Sequence, residues 1–189
     1  MDADVRISFI GQDGLPVAST MNRAISAHAS VVLDSSMFDD GGSLQGLQGY
    51  LRIESFGGRV VGSAYIEDLE GTVLTGVNTM DRGGTESYLS QLATGVSGYY
   101  TGVACLNISS LPAELEIGLY NPAGSPLAHG ARTLDPGRRF SELVEQLTGF
   151  SSSQQGGYIR LVATQPVACF GVLGTARALA SVPAQIVRP

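Results

Sequence analysis

Hydrophobic side chains recur at every second position through much of this chain, the period of a strand with one face buried. Asp4-Val5-Arg6-Ile7-Ser8-Phe9 sets Val5, Ile7 and Phe9 on one face, and Glu114-Leu115-Glu116-Ile117-Gly118-Leu119 does the same with Leu115, Ile117 and Leu119. The pattern predicts strands near 4–10, 17–25, 49–56, 59–67 and 72–77. After an opening stretch, Tyr88-Leu89-Ser90-Gln91-Leu92, it predicts more near 99–109, 113–121, 127–134, 157–164, 167–174 and 178–184. One helix breaks the rhythm. Phe140, Leu143, Val144 and Leu147 fall at helical spacing, Glu142 and Glu145 face away, and Gly149 stands where a C′ glycine belongs. Its counterpart, Val31 to Phe38, is serine-rich and predicts only a turn of helix.

The strand pattern occurs twice. Gly49-Tyr50-Leu51-Arg52-Ile53 is answered by Gly157-Tyr158-Ile159-Arg160-Leu161, 108 residues on (158 − 50). Upstream, Gly14-Leu15-Pro16 matches Gly124-Ser125-Pro126; downstream, Val60-Val61-Gly62-Ser63-Ala64 matches Val167-Ala168-Cys169-Phe170-Gly171, and Val73 to Val77 matches Ala178 to Val182. The offset drifts from 110 at Val5/Leu115 to 105 at Val77/Val182, as loop insertions that spare strands would produce. The expected architecture is therefore all-β, two tandem related antiparallel β-sandwich units of roughly 100 residues each. Residues 1–78 form the first and 79–189 the second, with Thr79 to Gly84 as the junction and the short helix plugging one end of the second sandwich. The second unit carries Thr85 to Ala113 ahead of its Glu114 strand, and the first has no counterpart. Either this chain is cut from a longer one, the favoured expectation, or the missing strand comes from another segment or molecule by strand exchange.

Composition sharpens this only at the margins. With 43% hydrophobic and 15% charged residues each unit can bury a core, so disorder is not expected. All 11 basic residues are arginine, which reads as genome composition rather than a binding task. A formal charge of −6 argues against nucleic acid as a partner. No signal peptide is read in Met1 to Val5, and the most apolar window, Pro166 to Val187, is broken by Arg177, so membrane insertion is not expected.

Candidate chemistry is sparse. Cys105 and Cys169 both lie on predicted strands of the second unit; they are either two buried thiols or a disulfide closing a loop of about sixty residues, worth on the order of 4 kcal/mol. Two cysteines with His28 and His129 in non-equivalent loop positions do not make a zinc site, and no metal or other cofactor is expected. No G-x-S-x-G elbow occurs, which argues against Ser-His-Asp hydrolysis, and what repeats is glycine, tyrosine and strand phase rather than a shared polar constellation, which argues for a chain that is not an enzyme. Asp39-Asp40 and Glu67-Asp68 with Glu70 lack calcium-loop spacing and read as solvated acids. Tyr99 and Tyr100 are the adjacent rings that could present a weak ligand-binding edge, since alternation turns one in and leaves one out. Asn107-Ile108-Ser109 matches a glycosylation sequon, a triplet common by chance, and Arg52/Arg160, repeated on the polar face, suggests a cross-strand ion pair.

The order of motifs, Tyr100-Thr101-Gly102-Val103-Ala104-Cys105-Leu106-Asn107, then Glu114 to Tyr120, the Thr133-Leu134-Asp135-Pro136-Gly137 turn, Gly157 to Leu161 and Pro166 to Phe170, resembles the tandem β-sandwich repeats of large secreted or cell-surface bacterial proteins. In those repeats a T-x-x-x-x-L-N strand leads to an alternating strand, an L-x-P-G turn and a G-Y/W-I/V-x-V/L strand. The likeness covers most of 85–185 and less of 3–78, where Ser26-Ala27-His28-Ala29 replaces the proline-glycine turn. It implies a non-catalytic extracellular structural or adhesion-like module, with protein or polysaccharide at a cell surface as partner. The alternative is a carbohydrate-binding accessory domain of a secreted hydrolase.

Overall fold

The computed structural model describes residues 1–38, 48–67 and 74–189. Asp39-Asp40, Asp68, Glu70 and the start of the 72–77 strand lie outside the described residues. The fold is all-β and its strands pair antiparallel. The chain divides into two compact units, Met1–Gly62 and Ser63–Pro189.

In the first unit, β1 (Ala3–Gly11) lies between β2 (Met21–Ile25) and β3 (Gly49–Gly57). Alternation on β1 buries Ala3, Val5 and Ile7, and Met21 and Phe38 complete the small core. Phe38 arrives on a single 3-10 turn, Ser35–Phe38, the turn of helix that the serine-rich stretch predicts.

The second unit holds the hairpin β4 (Ser63–Glu67) and β5 (Leu74–Asn78), then β6 (Gly84–Leu89), β7 (Ala93–Thr94), β8 (Tyr100–Asn107), β9 (Ala113–Tyr120), β10 (Pro126–Leu134) and β11 (Arg139–Leu143). Helix α1 (Val144–Thr148), β12 (Gln154–Gln155), β13 (Tyr158–Thr175), β14 (Ala178–Pro183) and β15 (Gln185–Arg188) complete it. The 18-residue β13 organises this unit. Its first half pairs with β9 and β6, giving the order β10-β9-β13-β6-β15; its second half pairs with β8 and β14, and β8 pairs with β11. The β6 register shifts between Val162 and Val167, around Pro166, which cannot donate to a ladder. The sheet thus curls over a core that includes Leu89, Val103, Leu115, Ile117, Leu119, Ile159 and Leu161, all at most 1% exposed.

Several expectations need correction. Sequence spacing suggests two strands in 157–174, but one strand runs through. Phe140 and Leu143 belong to β11 rather than to the helix, because Phe140 is drawn inward opposite Cys105 on β8. The helix keeps only its last turn, with Val144 and Leu147 in the core and Gly149 at φ 71 donating to the Glu145 carbonyl. Gly84, placed in a junction, begins β6, and β15 continues past the predicted 178–184 strand. The compact units divide after Gly62 rather than after Asn78: Ser181 on β14 donates its N–H to Thr75 Oγ1 (3.1 Å) and its hydroxyl to the Gly76 carbonyl (2.5 Å), so the β4–β5 hairpin sits with the second unit.

Three ladders occur in pairs with constant offsets. Val5↔Ser55 through Ile10↔Tyr50 corresponds to Leu115↔Ala163 through Tyr120↔Tyr158, at offsets of 110 and 108. Ala3↔Ile25 through Ile7↔Met21 corresponds to Ala113↔Leu134 through Ile117↔Gly130, at 110 and 109. Ser63↔Asn78 through Glu67↔Leu74 corresponds to Phe170↔Pro183 through Gly174↔Leu179, at 107 and 105. The turns correspond too. Gly14 (φ 82) donates to the Gly11 carbonyl at 3.1 Å and Gly124 (φ 81) to the Asn121 carbonyl at 2.9 Å. The 26–29 turn closes from Ala29 N–H to the Ser26 carbonyl (2.9 Å) and the 135–138 turn from Arg138 N–H to the Asp135 carbonyl (3.0 Å). His28, at φ 65, takes the left-handed place that Gly137 fills at φ 73.

Candidate functional site

A cluster of polar and aromatic side chains lies on the outer face of the β9-β13-β6-β15 sheet. Strand parity puts it there: Leu119, Ile159 and Leu89 point into the core, so Tyr120, Tyr158 and Tyr88, each one residue away, point out. Tyr120 and Tyr158 are a register pair and stack with centroids 4.9 Å apart and planes 7° from parallel; Tyr88 lies 5.9 Å from Tyr158. Gly118 leaves room for the Tyr120 ring, since a Cβ there would stand 2.8 Å from it.

Beside the row, Glu86 on β6 is held from both sides. Arg160 on β13 donates from Nε to its Oε1 at 2.9 Å, with Nη2 2.7 Å away, and Arg188 on β15 reaches Oε2 at 3.1 Å. The Tyr88 hydroxyl donates to the same Oε1 at 3.1 Å. The hydrogen bond from Arg160 is the main cause holding the Glu86 carboxyl below its ordinary value, opposed by burial and aided by Tyr88 and Arg188; the same bond pushes the Arg160 guanidinium up. Arg160 thus makes a cross-strand pair, whereas its counterpart Arg52 has its acid on its own strand, Glu54 at 3.4 Å. A second brace joins β10 to β11, where Arg132 grips Glu142 through Nε (3.2 Å) and Nη2 (2.5 Å).

Sequence-predicted candidates are scattered. Tyr99 is 39% exposed, while Tyr100, half-buried on β8, lies against Gly174, its register partner on β13. Cys105 and Cys169 are joined by a disulfide between directly opposed residues of β8 and β13, with Cα atoms 4.2 Å apart and both residues 2% exposed. His28 sits on the 26–29 turn of the first unit and His129 on β10 of the second, a strand rather than a loop. Asn107 is fully buried: its amide donates to the carbonyls of Leu111 and Leu134, both at 2.8 Å, and its oxygen accepts from the Ser109 backbone and hydroxyl. That amide is committed to the fold and unavailable to glycosylation once folded. Among the described residues no three or more His, Cys, Asp or Glu side chains gather as a metal site, and no helix is long and apolar enough to cross a membrane.

Sequence reasoning misses the tyrosine row, although each ring occupies an outward position beside a core residue. The missing information is strand order, because β6, β9 and β13 are neighbours only in three dimensions.

No protein-family model and no curated protein matches the sequence. Among solved structures the chain is similar to the crystal structure of Thermotoga maritima 1070, with 11% identity over 58% of this chain and 98% of that one and a TM-score of 0.47. It is also similar to the Anabaena sensory rhodopsin transducer, with 17% identity over 52% of this chain and 86% of that one and a TM-score of 0.40. Likenesses this distant carry no functional argument.

Proposed function

We propose that this chain is a non-catalytic structural or adhesion-like module of a larger extracellular or cell-surface protein, built from two copies of one β design. The observation that carries the reading is the Cys105–Cys169 disulfide, buried between core strands; such bridges form and persist in oxidising compartments. The recurring ladders support the two-copy part. Supporting the non-catalytic part, three of the polar groups held in the second unit have structural partners: Glu86 braces three strands, Arg132 two, and Asn107 ties a turn to its neighbours. Mild proteolysis of intact source cells tests the location. Loss of the parent protein from unbroken cells supports the reading, and protection until lysis contradicts it.

The rival reading, a carbohydrate-binding accessory domain, is favoured by the Tyr120–Tyr158–Tyr88 row, which clusters three aromatic rings on one face of the sheet, two stacked and the third tilted by 46°. Retention on a polysaccharide column that disappears with Tyr158→Ala supports it; retention unaffected by that change assigns no role to the row.

A further inference from the structure

Arg23 on β2 and Arg132 on β10 occupy the same place in the two ladders, 109 residues apart (132 − 23). Arg23 stands opposite Val5 and Arg132 opposite Leu115, both core residues. Each arginine also donates from Nη1 to the carbonyl of the residue before it, Asn22 at 3.0 Å and Ala131 at 2.9 Å. That shared bond anchors the two guanidinium groups alike and leaves Nε and Nη2 of each as a two-pronged donor edge. In the second unit Glu142 accepts from both prongs, the bidentate match of a planar guanidinium to a carboxylate. In the first unit Arg23 is exposed, and among the described residues its Nε and Nη2 have no acceptor.

The sequence accounts for the difference. The same offset of 109 sets Leu33 where Glu142 stands, and Leu33 packs against the small core of the first unit. The next residue, Asp34, is an acid already committed, since its Oδ1 accepts the Ser36 N–H at 2.8 Å and caps the 3-10 turn. Val31, which answers Phe140, is 44% exposed where Phe140 is 7% exposed. The stretch that brings a carboxylate to Arg132 thus brings none to Arg23, and it leaves its apolar residue in solvent.

We propose that the Nε–Nη2 edge of Arg23 is a carboxylate site that takes an acidic side chain of a polypeptide other than this chain, in the bidentate manner in which Arg132 takes Glu142. A protein carboxylate is the occupant because that is what the same donor edge holds in the second unit. The inference rests on the correspondence of the two ladders and not on the chain's location, so its test and the proteolysis of intact cells fail independently. The test is an NMR titration of the 15N-labelled full chain that follows the arginine Nε–Hε resonances, assigned with Arg23→Lys and Arg132→Lys. The probes are the capped tetrapeptide Phe140–Leu143 and the same peptide carrying E142Q. The acidic peptide shifts the Arg23 resonance, leaves that of Arg132 in place, and binds about two- to five-fold more tightly than the E142Q peptide, the range of an exposed ion pair. Arg23→Lys keeps the charge without the fork and removes that preference. An Arg23 resonance that neither peptide moves, or a preference that survives Arg23→Lys, overturns the proposal. So does any other source of the carboxylate: an Arg23 resonance displaced by Asp39→Asn or Asp40→Asn without peptide gives the edge to an acid of this chain, a shift that grows with protein concentration alone gives it to a second copy, and a shift produced by an oligouronate but not by the peptide gives it to a polysaccharide.

Discussion

His28 is held at a positive φ that side-chain-bearing residues rarely adopt, and the corresponding turn of the second unit places Gly137 there. Left-handed geometry costs an L-residue roughly 1–2 kcal/mol, partly offset by the extra unfolded-state freedom of glycine. His28→Gly should therefore stabilise the first unit by about 0.5–1 kcal/mol in urea denaturation, and Gly137→His should destabilise the second in the same assay. Neither position was legible from periodicity. The sequence shows that a histidine turn replaces a proline-glycine turn, and only the shared offset of 109 reveals that they hold the same backbone shape. Asn107 was discounted as a sequon because such triplets are common by chance, but its structural role was not legible either, since its burial depends on carbonyls 4 and 27 residues away.

Among the elements, strands with one buried face were readable because period-2 alternation is a local signal; β1, β8, β9 and β10 lie within a few residues of where the pattern puts them. β6 and β11 were not. Glu86 and Ser87 are buried polar residues in β6, so its burial does not follow hydrophobicity, and the apolar spacing of β11 and α1 together imitates one longer helix. Glu86 also sets a pH dependence. Its folded-state pKa is depressed, chiefly by the Arg160 hydrogen bond, so the stability it contributes is fully present above the ordinary carboxylate range and is lost as pH falls through the folded value. Glu86→Gln should lower the melting temperature at neutral pH and flatten its decline between about pH 5 and pH 2. Thermal melts across that range check both; a variant whose acid limb matches the parent's would show that other carboxylates govern it.

For the whole molecule, the sequence correspondences and the ladder offsets support the proposal of two copies, but they do not say how the chain is divided. The β4–β5 hairpin has the register of the β13–β14 hairpin yet groups with the second unit through Ser181, a relation carried by two hydrogen bonds across 106 and 105 residues that no local pattern records. The proposed function rests on the second unit's Cys105–Cys169 bridge, because disulfides form and persist in oxidising compartments. The most direct measurement is the intact mass of the natural polypeptide from its own host, alkylated before and after reduction. The account predicts a product far heavier than 19.6 kDa in which Cys105 and Cys169 resist alkylation until reduced. A product of 19.6 kDa with both cysteines alkylated at once would contradict it.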